Sequence, residues 1–124
     1  MKTSIVTQKA PAAIGPYAQG VAGEHLVITS GQLPIDVATG VMPDGIAEQT
    51  RQSLMNCKSV LEAAGCSMSD VMKTTVFLSD MNNFAAMNEV YAEFFSGEFP
   101  ARSAVEVARL PKDALVEIEC IACR

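Results

Sequence analysis

A chain of 124 residues has the size of one domain and buries roughly two-thirds of the surface its unfolded form exposes, enough for a single core over residues 1–124. With 49% hydrophobic and 19% charged residues it falls outside both the disordered class and the class of membrane spans, and it reads as soluble and globular. A formal net charge of -5 removes the attraction that phosphate backbones exert on basic proteins, so no nucleic-acid partner is expected.

The first residues, Met1 to Lys9, carry two lysines but no apolar stretch long enough for a signal-peptide core, so a cytosolic location is expected. Ile14-Gly15-Pro16 forms a rigid turn that presents Tyr17. Leu26 to Ser30 is a short β-prone run ended by Gly31, and a turn-rich stretch from Pro34 to Gly45 follows. Between Ile46 and Ala64 the residues Ile46, Thr50, Leu54, Cys57, Leu61 and Ala64 recur at steps of four and three, which predicts a helix closed by Gly65.

Val71 to Leu78, rich in β-branched residues, predicts a strand. Phe84, Met87, Tyr91 and Phe94 then mark one face of a second helix that Ser96-Gly97 closes. Two further strands, Arg102 to Ala108 and Leu115 to Ala122, flank the turn-forming Leu110-Pro111-Lys112-Asp113 and are expected to pair as a hairpin. In the last strand Val116, Ile118, Cys120 and Ala122 share one face, and Leu115, Glu117, Glu119 and Ile121 the other. Two helices can cover one face of a sheet; a partner subunit or solvent must meet the second.

The four cysteines read as reduced thiols. The Cys120-x-x-Cys123 spacing invites a metal or redox reading, but positions three apart in a strand point to opposite faces, which favours structural filler. His25 sits in a turn, far in sequence from any serine or cysteine with triad-like context. Neither a phosphate-loop nor a dinucleotide-binding glycine pattern occurs, and His, Cys and carboxylate ligands are not clustered. The chemistry left open is what a few side chains and water can manage without a cofactor.

Arg102, where the Pro-containing segment Phe99 to Ser103 enters a strand, offers a permanently charged planar fork suited to a small carboxylate. A surface ion pair fits the same residue type. Glu117, in a strand of mostly apolar or small residues, is solvated, paired or poised for proton transfer, and Glu119 and Glu106 compete with it on type alone. Tyr17 packs or orients water; Ser30 and Gly31 end a strand with small polar groups and allow close backbone approach; Asn88 stands beside the apolar stripe of the second helix.

Several blocks are similar to the signatures of the RidA (YjgF) family. They are Ala10-Pro-Ala-Ala-Ile-Gly-Pro-Tyr17, Ile28-Thr-Ser-Gly-Gln32, Lys73-Thr-Thr-Val-Phe77, and Phe99-Pro-Ala-Arg-Ser103 with Val105-Glu-Val-Ala-Arg-Leu-Pro111. The resemblance spans nearly the whole chain. It implies an α+β, chorismate-mutase-like domain, a mixed six-stranded sheet with two helices on one face, assembled as a homotrimer with clefts between subunits. It also implies hydrolysis of 2-aminoacrylate, its tautomer 2-iminopropionate, or the four-carbon 2-iminobutanoate to ammonium and a 2-keto acid, without a cofactor.

In that resemblance Arg102 corresponds to the carboxylate-binding arginine, Glu117 to the water-orienting glutamate and Tyr17 to the pocket tyrosine. Ser30, Gly31 and Asn88 correspond to cleft-lining positions, and the backbone around Ala104 to a contact with the ligand's polar end. Many relatives carry cysteine where this chain has Ala104, so no thiol-based role is expected there. A binding protein that holds 2-keto acids without turnover remains the alternative, and RNA cleavage, also attached to the family, is disfavoured by the acidic balance.

Overall fold

Alternation of buried and partly exposed residues along Val116–Cys123, and along Val71–Leu78 after a bulge at its start, sets the centre of the fold. The computed structural model describes residues 1–124. Its strands are β1 (Thr3–Ile5), β2 (Gly20–Ala22), β3 (Leu26–Thr29), β4 (Val71–Leu78), β5 (Ala101–Glu106) and β6 (Val116–Cys123). They form one six-stranded mixed sheet in the order β1-β2-β3-β6-β4-β5, antiparallel throughout except for the parallel pair β4 and β5.

Two helices, α1 (Ile46–Ala63) and α2 (Phe84–Ala92), cover the same face. On α1 the predicted stripe is the buried one: Thr50, Leu54, Cys57 and Leu61 are all 0% exposed. Cys57 reaches the Ile118 carbonyl, which ties α1 to β6, and the Tyr91 hydroxyl meets Thr74 Oγ1 at 2.7 Å, which ties α2 to β4. Thr74 is in register with Cys120, so both helices lie against one side of the sheet. Gly65, at φ 80°, ends α1 in the left-handed conformation that a side chain disfavours, with Cys66 N–H bonded to the Leu61 carbonyl.

The expected hairpin between the last two strands does not form. β4 lies between them, pairing with β5 on one edge and β6 on the other. Eight β-prone residues give β4 two usable edges, and the Pro111–Asp113 turn carries the chain past its end instead of folding it back. Val107 N–H to the Leu78 carbonyl and Ser79 N–H to the Leu115 carbonyl mark that crossing. β1 and β2, at three residues each, are too short to show a period in sequence.

The opposite face has no helix. It presents Leu26, Ile28 and Val105, each more than two-fifths exposed, beside Phe77, Ile121, Glu117 and Glu119. The four cysteines are free, Cys120 buried and Cys123 exposed, as their opposite facing requires. No helix is long and apolar enough to cross a membrane.

Candidate functional site

The residues singled out by chemistry fall into two groups. The first gathers on α2 and β5. Arg102 is in register with Thr74 and therefore leaves the sheet on the helix side. Its Nη1 donates to Asn88 Oδ1 at 2.8 Å, and its guanidinium carbon stands 4.8 Å from the Tyr91 ring centroid and 5.4 Å from that of Phe84. No carboxylate of the chain pairs with it.

The other donors of the fork have no hydrogen-bond partner in the chain, and Arg102 lines a cleft of about 440 Å³ together with Tyr91, Ala92, Phe99 and Pro100. Ala104 lies two residues along the same face of β5, partly buried against the core. Because β5 is an edge strand, half of its backbone hydrogen-bonding capacity is unused within the chain. Burial holds the Tyr91 phenol above its ordinary pKa, so the ring beside Arg102 stays neutral.

The second group surrounds Glu117. Its neighbour in register is Phe77, so it leaves the sheet on the open face and lines a cleft of about 660 Å³ with Tyr17, Ser30, Gly31, Gln32 and Lys112. Gly31 fits against the carboxyl so closely that an added Cβ would stand 2.9 Å from Glu117 Cδ. The Ser30 hydroxyl donates to the Ala18 carbonyl at 2.6 Å and anchors the segment that carries Tyr17. Tyr17 is itself half-exposed, its hydroxyl accepting from Ile14 N–H.

Polar residues on α1 hold the floor of this second cleft. Ser53 Oγ donates to the Gln32 carbonyl, and Asn56 Nδ2 to those of Leu33 and Ile35. Glu117 has no cationic partner in the chain. Its carboxyl is half-buried, and burial, with Glu119 adding repulsion, raises its pKa above the ordinary carboxylate value. Such a group exchanges protons nearer neutral pH than a solvated glutamate does.

Arg102, Asn88 and Ala104 thus stand together, as do Glu117, Tyr17, Ser30 and Gly31, but within one chain the two groups do not meet. The spacing of Phe84 and Tyr91 predicts a core stripe and gives no sign that both rings flank Arg102; the one polar residue between them on that helical face is Asn88. Thr74, which anchors the Tyr91 hydroxyl, stands in sequence only within a strand and a family-like block, and Lys112, at the rim of the second cleft, only within a turn; neither is marked out there as a site residue. No group of three or more His, Cys, Asp or Glu side chains is arranged to hold a metal ion.

A family model described as Endoribonuclease L-PSP matches residues 7–124. The chain is 54% identical over 127 residues to a 2-iminobutanoate/2-iminopropanoate deaminase of Escherichia coli strain K12, covering 100% of this chain and 99% of that protein. It superposes at TM-score 0.96 on the crystal structure of the E. coli YjgF gene product, with 54% identity and 98% of both chains covered. E. coli TdcF with bound serine superposes at the same TM-score, with 51% identity and 98% of both chains covered. The matched span contains every residue of both groups, and by fold, length and identity the chain belongs to the RidA (YjgF) family.

Proposed function

We propose that this chain is a cytosolic hydrolytic deaminase of 2-imino acids, working as a homotrimer whose sites lie between subunits. Arg102 of one copy grips the substrate carboxylate and Glu117 of its neighbour handles water and protons. The 54% identity to a 2-iminobutanoate/2-iminopropanoate deaminase over the full length of both proteins supports the reaction, and the serine bound to TdcF supports a small carboxylate ligand. The apolar residues on the open sheet face support a partner subunit there.

In the first step the C2 carbon of the imine accepts the oxygen of a water molecule, and Glu117 takes one proton from it. The carbinolamine nitrogen, which holds the electron pair of the former C=N bond, receives that proton; the hydroxyl proton then passes through Glu117 to the same nitrogen, and the C–N bond breaks as the oxygen closes to a carbonyl, so that ammonia leaves with a 2-keto acid. 2-Aminoacrylate enters the same path after protonation at C3 gives 2-iminopropionate. Arg102 supplies orientation and charge placement, which an already electrophilic imine needs more than activation.

One observation favours turnover over passive binding of a 2-keto acid: Glu117 is a half-buried carboxyl that no cation of the chain pairs with, and burial raises its pKa. A pure binder of anions gains nothing from a second anion at the site. The test generates 2-aminoacrylate in place with a serine dehydratase and follows pyruvate. Faster pyruvate release with this protein present is expected; an unchanged rate would leave the binder as the reading.

A further inference from the structure

We infer that Tyr91 is a positioning residue for the reaction, acting through Arg102: it forms one wall of a socket on α2 that fixes the guanidinium before any ligand arrives. This rests on the proposed role of Arg102 as the carboxylate holder. Phe84, Asn88 and Tyr91 follow one another at steps of four and three, so they share one face of α2. The ends of that series are separated by about 10.5 Å along the helix axis. The guanidinium carbon stands 5.4 Å from one ring and 4.8 Å from the other, with Asn88 Oδ1 accepting from Nη1 between them.

Arg102 needs such a socket because it stands on an edge strand whose residues are partly or fully exposed. A long side chain there samples many rotamers and loses that freedom on binding. Tyr91 is the fixed wall. Its hydroxyl is tied to buried Thr74 at 2.7 Å, and Phe95 braces its ring at 4.9 Å between centroids. The ring's face carries negative potential, which attracts the cation without occupying the donors that a carboxylate needs. A neutral phenol serves this purpose, since a carboxylate in its place would pair with Arg102 and compete with the ligand.

The experiment compares the wild type with Tyr91→Leu, Tyr91→Phe and Thr74→Val in the full-length protein, using pyruvate formation from 2-aminoacrylate and the NMR resonance of Arg102 Nε–H without substrate. Tyr91→Leu should raise KM about ten-fold with kcat within about two-fold, because the arginine holds the carboxylate in ground and transition states alike. Tyr91→Phe keeps the ring and should restore KM to within about three-fold of the wild type. All three should move the Arg102 resonance and speed its hydrogen exchange, Tyr91→Leu most.

Val60→Ala, a core truncation on α1, controls for general loss of stability and should leave KM and the resonance in place. If Tyr91→Leu does not fold, the resonance in Tyr91→Phe and Thr74→Val decides. An unmoved resonance in those two, or a KM that Val60→Ala raises as much as Tyr91→Leu, overturns the inference. A wild type inert towards imines would overturn the deaminase reading, and the resonance would still judge the socket.

Discussion

Arg102 and Glu117 leave the same sheet on opposite faces. Arg102 is in register with Thr74, whose hydroxyl meets Tyr91 of α2, and Glu117 is in register with Phe77, on the side that carries no helix. They also lie on strands two places apart, with β4 between. Strands are spaced by about 4.8 Å and residues along them by about 3.3 Å, so no rotamer change within one chain brings the two groups onto one small ligand. If both act in one reaction, two copies of the chain supply them.

Mixing inactive variants tests that directly. Under the proposed roles Arg102→Ala removes the carboxylate holder and Glu117→Gln the proton carrier, so each pure oligomer should be inactive. If the two are unfolded and refolded together, the proposed trimer, with sites shared between neighbours, should regain one intact site in every mixed assembly, about a quarter of all sites in an equal mixture. Recovery of roughly that share of wild-type pyruvate formation is the expected result, and none is expected if both residues must come from one chain.

Gly31→Ala probes the other half of the site. An added methyl would stand 2.9 Å from Glu117 Cδ and 3.1 Å from its Cγ, so the carboxyl must move aside. The obstructing atoms belong to the end of a flexible side chain, and the stability cost should stay within about 1 kcal/mol. A carboxyl displaced by about 1 Å from its working position should nonetheless lower kcat/KM about 100-fold. Calorimetry and the pyruvate assay, run side by side, check for this separation of activity from stability.

What sequence could tell depended on the range of the interaction. The α1 stripe, the β4 run and the alternation in β6 are local patterns, and the structure has them nearly as read. The hairpin expectation failed because nothing local states that β4 has a free edge for β5. Arg102 and Glu117 could be singled out by charge and context, but their opposite facing follows from the register of each strand on β4. Tyr91 was legible as an apolar position and illegible as a wall for Arg102, since that contact joins α2 to a strand that follows it in sequence.

The rim of the Glu117 cleft stores strain that one substitution should release. Lys112 (φ 57°, ψ 21°) and Asp113 (φ 55°) are consecutive non-glycine residues in the left-handed region, beside Pro111 and held by the Arg109–Asp113 ion pair. Each left-handed residue costs about 1 kcal/mol. Lys112→Gly should therefore raise the melting temperature by about 2–4 °C, less whatever its freer unfolded chain takes back. Lys112→Ala keeps the penalty and should show no gain, which separates backbone strain from loss of the ammonium.

Glu117 should also leave a mark on the pH dependence of stability. Its folded pKa lies above the ordinary value because burial and Glu119 disfavour the anion. Below the ordinary carboxylate range both folded and unfolded chains hold the proton and no penalty exists. As pH rises, the unfolded chain ionises first, so stability falls until the pH passes the folded pKa and is level thereafter. Glu117→Gln removes that loss and should raise the melting temperature at about pH 7 while changing little near about pH 3. A guanidinium brought up by a neighbouring copy would offset part of the penalty, so the gain should be larger in an Arg102→Ala background. Scanning calorimetry of the four proteins across this range reads both effects, and a gain that persists undiminished at the acid end would remove the ionisation of Glu117 as its cause.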